Sequence, residues 1–403
     1  MIQLDVWLTM PHGDRVQVGE LACSDADSHG RYRSAFRYTP DYLAANVAFP
    51  LDPAALPLGA QEFQSTQLNP PLLALEDALP DAWGRRLLVL RHGLKRGQQA
   101  EPILLRAMGG AGLGALGFSL PGQPLEAYDG SADSVALTEL ADAAARLEAG
   151  EAIDDSSRKL LAAGSSPGGA RPKALVHDAS GYWIAKFASR RDDCDVVGLE
   201  AASLDLARRA GLRVPRFKLH TSKLHTLSPA RRALLVERFD RTDNGRRHML
   251  SFRALLQASG HYVLGYADLI AALRRYSDAP EMDAPQLYRQ MVFNALIGNT
   301  DDHLKNFWML HDDSGWRLSP AFDLLPDTGR LVEHVLCFDL EPAAPKPAQL
   351  AALGRKWGIT SAAAICDEVR VALAEFAPVA ADYGVPQPDI DRFAADLARR
   401  ALS

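Results

Sequence analysis

Apolar and polar positions change rhythm several times along the chain, and each rhythm predicts a different element. Over residues 1 to about 60, Leu4, Val6 and Leu8, then Val16 and Val18, then Phe36 and Tyr38 recur at every second position, with the turn signal His12-Gly13-Asp14 between runs. A period of two lines one face of a strand, so this stretch predicts a small β-rich module. From Pro71 the spacing becomes helical: Leu72, Leu73, Leu75 and Leu79 precede Trp83, Leu87, Leu88 and Leu90, with Pro80-Asp81 as a helix start. A short helix follows over 103–108, and residues 122–134, rich in Gly, Pro, Ser and Asp, predict a linker. After an amphipathic helix over 137–147, two apolar runs around the turn 178–181 predict a hairpin. A helix capped by Asp195 then leads to strands over 214–219 and 233–241. From Ser251 the pattern is mostly helical. Its third apolar face (Leu287, Met291, Leu296) runs into a polar cluster and a strand over 307–310. A short strand over 335–338 and helices near 347–357, 361–376 and 389–401 complete the chain.

Composition narrows the class. With 403 residues the chain exceeds one ordinary core and predicts two or three subdomains. Its 47% hydrophobic and 23% charged content is that of globular material, and no apolar run is long enough to span a membrane. The first residues read as a strand rather than a signal peptide. Cys23, Cys194, Cys337 and Cys366 form neither a CxxC pair nor a disulfide framework, which suits a reducing, cytoplasmic setting. A net charge of −6 argues against a chain that binds nucleic acid alone.

The candidate chemistry is concentrated in Gly298-Asn299-Thr300-Asp301-Asp302-His303-Leu304-Lys305-Asn306 and in Ala321-Phe322-Asp323-Leu324, beyond the next strand. An aspartate, an asparagine shortly after it and a second aspartate beyond a strand are what phosphoryl transfer uses: one carboxylate orients the nucleophile, and two oxygens hold magnesium. Upstream, the small-residue loop Ser166-Pro167-Gly168-Gly169-Ala170-Arg171-Pro172-Lys173 lets backbone N–H groups and the cations Arg171 and Lys173 approach phosphate. Lys186 in the following strand and Glu200 near the start of the next helix have the order by which kinases hold a lysine against nucleotide phosphates. Lys186 also reads as a snorkelling edge residue, and Glu200 as a residue favouring its own helix's positive end. Backbone groups around Glu237 to Phe239 sit where a hinge would meet adenine. By contrast, Gly112-Leu113-Gly114-Ala115-Leu116-Gly117 matches a dinucleotide fingerprint but lacks the strand before it and the helix after it, so it predicts a tight turn into a strand.

Taken in order, Leu79-Pro80-Asp81-Ala82-Trp83-Gly84-Arg85-Arg86-Leu87-Leu88, the Ser166 to Lys173 loop, Glu237-Arg238-Phe239-Asp240-Arg241, Gly298 to Asn306 and Phe322-Asp323-Leu324 resemble the HipA family of serine/threonine protein kinase toxins from bacterial type II toxin–antitoxin systems. The resemblance implies an α+β, two-lobed protein-kinase-like fold with an extra β-rich N-terminal subdomain and a helical C-terminal lobe. Its divisions would be 1–121, 135–241 as the ATP-binding region, and 242–403. It implies Asp301 as catalytic base in preference to Asp302, which becomes a solvent or cap residue. Asn306 and Asp323 would hold Mg2+. Gly168, Gly169, Ala170, Arg171, Lys173, Lys186, Glu237, Phe239 and His303 would lie on the ATP side, with His303 bracing the loop and Glu200 supporting Lys186. Ser166, or the adjacent Ser165, would be the autophosphorylated serine. Implied partners are ATP, a protein substrate such as an aminoacyl-tRNA synthetase or translation factor, and a HipB-like helix-turn-helix antitoxin that carries most of the DNA contact. A small-molecule or lipid kinase would share the same catalytic residues, and a pseudokinase that only binds a regulator is the third reading.

Overall fold

The computed structural model describes residues 1–403 except 66–70, 127–131, 153, 155, 158–159, 162–170, 222–231, 261, 328–332 and 403. The predicted α+β class is borne out, and contacts group the chain into two units that interleave along the sequence. The first holds Met1–Lys186, Arg238–Gln257 and Leu310–Asp313; the second holds Phe187–Glu237, Ala258–Met309 and Ser314–Ser403.

In the first unit, the alternating stretch forms β1 (Ile2–Thr9), β2 (Arg15–Cys23) and β3 (Ser34–Tyr38). With β4 (Phe63–Gln64) and β5 (Leu116–Ser119) they build a sheet of order β4-β3-β2-β1-β5. Leu4, Val6, Leu8, Val18 and Phe36 are buried on its core side, as a period of two requires. The β1–β2 register shifts between Val6 and Trp7, a bulge that increases the local twist. Helices Ala82–His92, Glu101–Met108 and Leu137–Glu148 form where helical spacing predicts them. The glycine-rich stretch is a bend between the helix Glu101–Met108 and β5, which bears out the expected turn into a strand. A second set of strands comprises β6 (Ala132–Asp133), β7 (Lys173–Asp178) and β8 (Gly181–Phe187). β7 and β8 form the predicted antiparallel hairpin, while β6 lies parallel to β7. The end of the stretch expected as linker is thus a short strand: Ala132 faces Val176, and the ladder supplies backbone partners that composition does not reveal.

The second unit is mostly helical. Helix Val196–Arg209 begins at the predicted cap, where the Asp195 side chain accepts from Gly198 N–H at 3.1 Å. The strands β9 (Phe217–Thr221) and β10 (Arg232–Glu237) pair antiparallel. Helix Pro280–Ile297 is buried on every side over its C-terminal half, from Met291 to Ile297, and packs against helices Tyr266–Tyr276 and Ala362–Leu373. Near its N-terminus, the fully buried Asp283 binds Arg213 at 2.7 Å and Arg317 at 3.0 Å, and also accepts from Leu318 N–H and Ser277 Oγ. Those partners satisfy a charge that would otherwise be costly to bury. The chain ends in helices Pro347–Lys356, Ala362–Leu373 and Gln387–Leu402, in the places expected, and in Phe376–Asp382, a helix that the apolar pattern does not predict. The strand expected over 335–338 is not formed. Those residues make only an isolated bridge at Cys337, because the N–H groups of Val335 and Leu336 are directed to a side chain instead of a ladder. Among the described residues, no helix is long and apolar enough to cross a membrane, and all four cysteines are free thiols.

Candidate active site

Gly298 ends the long helix in the left-handed region (φ 79°), its N–H donating to Asn294 O at 3.0 Å. The backbone conformation therefore calls for glycine. The loop that follows treats its two neighbouring aspartates in opposite ways. Asp302 is fully buried: it accepts from Tyr266 Oη at 2.5 Å, His334 Nδ1 at 2.9 Å, Val335 N at 2.9 Å and Leu336 N at 3.3 Å. The expectation of Asp302 as a solvent or cap residue is corrected accordingly, since it is the internal anchor of the loop. Burial, and then the Asp302 charge, push the Tyr266 phenol well above its ordinary pKa, which keeps it a donor. Asp301, in contrast, is 78% exposed.

The anchor continues as a chain of hydrogen bonds. Asn294 Nδ2 donates to Tyr266 Oη at 3.2 Å, and Asn299 Nδ2 reaches both Asn294 Oδ1 at 3.1 Å and the Asp323 carbonyl at 3.3 Å. Asp323 is one of two non-glycine residues with positive φ among the described residues (56°), and it is half-buried. Such a conformation costs of order 1–3 kcal/mol and persists where its surroundings over-determine it. The network from Asp302 to the Asp323 backbone is part of those surroundings. Tyr266 is packed edge-on to Phe307 at 5.8 Å, and His334 edge-on to Phe338 at 4.9 Å, which fixes the donors.

Asn306 closes a 3-10 turn, Leu304–Asn306, and is 7% exposed. Its Nδ2 donates to the Asp301 carbonyl at 2.7 Å, so the amide oxygen is the atom left to present. His303 caps the same turn: Nδ1 accepts from Lys305 N–H at 3.2 Å, leaving Nε2 3.8 Å from Asp301 Oδ1. These contacts tie His303 to the turn. Loss of hydration raises the Asp301 pKa. His303 opposes the shift, while the charges of Asp323, Asp302 and Asp327 add to it. Among the described residues, no group of three or more His, Cys, Asp or Glu side chains is arranged to hold a metal. The amide oxygen of Asn306 and the carboxylate of Asp323 are hard donors that suit a magnesium ion sharing its other positions with phosphate and water.

Of the remaining candidates in this unit, Glu200 is 5% exposed near the start of its helix. The carboxylate of Glu237 is held by Arg216 through Nε at 2.9 Å and Nη2 at 2.6 Å, while the Glu237 N–H donates to Arg216 O. That hinge donor is therefore already engaged.

In the first unit, Lys173 and Lys186 are direct cross-strand partners on the β7–β8 hairpin. Lys173 is 9% exposed and Lys186 is half-buried, and residues opposite each other in a ladder share a face. Arg171 is half-buried just before β7, and Phe239 is half-buried with its carbonyl taken by Arg247 at 3.0 Å. Arg238 donates its N–H to Tyr182 O and is a salt-bridge residue: it holds the buried Asp240 at 2.6 Å. Ser165, Ser166, Gly168, Gly169 and Ala170 lie outside the described residues. One contact had no sequence signal beyond the motif that contains it. Trp83 Nε1 donates to the Lys173 carbonyl at 2.8 Å, tying Leu79 to Leu88 to the start of β7. Tyr266, Asn294, Asn299 and His334 are equally silent in sequence, because each reads as an ordinary helix or loop residue.

Residues 4–119 match the HipA N-terminal domain and residues 165–377 the HipA-like C-terminal domain. Two curated relatives from Sinorhizobium fredii, "Putative kinase Y4dM" and "Putative kinase Y4mE", are each 31% identical. The matches cover 36% and 35% of this chain and span only 37% and 34% of those proteins' lengths. The HipA chain in the complex of the Shewanella oneidensis toxin–antitoxin system HipA, HipB and operator DNA shares the fold, with a TM-score of 0.68. It is 21% identical and covers 99% of this chain and 96% of that one. With the C-terminal domain alone accounting for more than half of the residues and the N-terminal domain preceding it in order, the chain belongs to the HipA family.

Proposed function

We propose that this chain is an ATP- and magnesium-dependent serine/threonine protein kinase of HipA type. The observation that carries the reading is the division of labour between neighbouring aspartates. Asp302 is locked under four donors in a network that also holds the Asp323 backbone, and Asp301 is thereby presented to solvent on a braced loop. In the proposed reaction the acceptor hydroxyl oxygen bonds to the γ-phosphorus as the bond from that phosphorus to the β–γ bridging oxygen breaks, releasing ADP. Asp301 orients the hydroxyl and takes its proton. Asn306 and Asp323 would hold magnesium, which offsets phosphate charge when bound. Lys173 and Lys186, facing one another across the hairpin, would meet the nucleotide's phosphates, assisted by Arg171 and the loop before it. Glu200 would support Lys186, and the adenine would sit against the Glu237 to Phe239 segment through groups other than the engaged Glu237 N–H. His303 belongs to the same loop as its brace.

The acceptor in this reading is a protein hydroxyl, such as one on an aminoacyl-tRNA synthetase or translation factor. The chain also modifies its own Ser166, or Ser165. A HipB-like helix-turn-helix protein, the partner named in the Shewanella complex, would bind it and carry the operator contact. The test is incubation of the purified chain with γ-labelled ATP and magnesium, followed by mapping of labelled residues. Label on Ser166 or Ser165, lost by about 10²–10⁴-fold in rate with Asp301→Asn, is expected. An absence of both transfer and ATP binding would refute the proposal.

A further inference from the structure

We propose a second anion site in the first unit, independent of the kinase reading, that takes a small phosphorylated metabolite. It is a cavity of about 370 Å³ between the turn after β1 and the 241–246 turn, with Arg15, Arg241, Arg246, Tyr182, Thr242 and Asn244 in its walls. That volume lies at the small end of the roughly 300–1,000 Å³ range of metabolite pockets.

The cavity is built rather than incidental. Thr242 Oγ1 donates to Pro11 O at 2.5 Å and accepts from Gly245 N–H at 2.8 Å, and Arg246 N–H donates to Met10 O at 3.2 Å. A Cβ on Gly245 would lie 1.9 Å from Met10 O, and Gly13 has φ +103° with Asn244 O only 2.9 Å from where its Cβ would be. The two turns interlock at a distance that only glycines allow. Behind them, Asp240 is matched by Arg238 at 3.0 and 2.6 Å and accepts from Gly114 N–H at 2.9 Å. The carbonyls of Gly112 and Gly114 accept from Arg246 at 3.3 and 3.4 Å. The glycine-rich stretch that resembles a dinucleotide fingerprint therefore buttresses Arg246 and Asp240 from outside the cavity lining.

Charge selects the ligand. Arg246 is 5% exposed, and Arg241 lies over the Tyr182 ring at 4.5 Å, so both guanidiniums are held in place on the inner wall. Arg15, tied to Leu125 O at 3.1 Å, is exposed at the mouth. The two acids of the lining, Glu126 and Asp243, are exposed as well and belong to the rim. Three guanidiniums from two stretches, Arg15 on one and Arg241 and Arg246 on the other, with a hydroxyl and an amide beside them, match the oxygen-rich face of a phosphate, which accepts paired N–H donors.

Pyrophosphate is the probe. It is titrated calorimetrically into the full chain carrying Lys186→Met, which weakens anion binding on the β7–β8 face. Saturable binding is expected, and adding Arg15→Gln and Arg241→Gln should weaken it by at least about tenfold, as loss of two charge-assisted partners implies. Should the combined variant fail to fold by circular dichroism, Arg15→Gln alone is read, with at least about a threefold loss expected from an exposed position. Absence of binding in the Lys186→Met chain, or an affinity unchanged by the readable arginine variant, overturns the proposal.

Discussion

Asp301 and Asp302 are adjacent in sequence, and their substitution is expected to separate activity from stability. Asp302→Ala removes the acceptor from four donors, Tyr266 Oη, His334 Nδ1, Val335 N and Leu336 N, in a place with no solvent access. A stranded buried donor costs about 1–3 kcal/mol, and loss of one partner from a buried charged pair about 3–5 kcal/mol. These costs overlap because the donors share one carboxylate, so a net loss of about 3–5 kcal/mol is expected. At about 2–4 °C per kcal/mol, the melting temperature of the second unit falls by roughly 10 °C. Asp301→Asn has the opposite profile. Its carboxylate is 78% exposed and its pKa is raised, so protonation favours the folded state; the stability it contributes falls as pH rises through the raised value. Neutralising it should leave stability within about 0.5 kcal/mol of wild type while phosphoryl transfer is lost. Urea melts monitored by tryptophan fluorescence, run beside the labelled-ATP assay, measure both. If Asp302→Ala is as stable as wild type, or Asp301→Asn is the more damaging of the two to stability, the assignment of anchor and base is wrong.

Three further outcomes follow from the same geometry. Asp323→Asn tolerates positive φ and should fold normally, but the magnesium concentration for half-maximal transfer should rise by at least about tenfold, as expected for loss of a charged ligand; an unchanged magnesium titration would count against Asp323 as a ligand. Trp83→Phe keeps the packing but removes the indole donor from the Lys173 carbonyl, costing about 0.5–1.5 kcal/mol in chemical denaturation and weakening ATP binding a few-fold in equilibrium titration. Because loss of hydration, and then the neighbouring negative charges, raise the Asp301 pKa, activity should disappear as pH falls through that raised value, where the base becomes protonated. Asp327→Asn removes one of those charges and should move the acid limb of the pH–rate profile down by roughly a few tenths of a unit, whereas an upward move would contradict the electrostatic account.

Much of the architecture is present in one-dimensional pattern. The period-two run of Leu4, Val6 and Leu8 yields β1, the cap at Asp195 starts its helix, and the C-terminal helices lie where apolar faces recur, because burying a strand face or helix stripe constrains residues only a few positions apart. The candidate chemistry is legible for the same reason: Asp301, His303 and Asn306 occupy one short loop, and the family motifs keep their order. Tertiary structure alone decides which aspartate is the anchor, since both have the same local sequence surroundings and differ only in meeting Tyr266 and His334 from distant stretches. It also decides that Lys173 faces Lys186, that Trp83 holds the strand carrying them, and that residues 335–338 give their N–H groups to Asp302 rather than to a ladder. Local periodicity determines which face of an element is buried. The partners of a buried polar group come from remote parts of the chain, and only folding brings them within hydrogen-bonding distance.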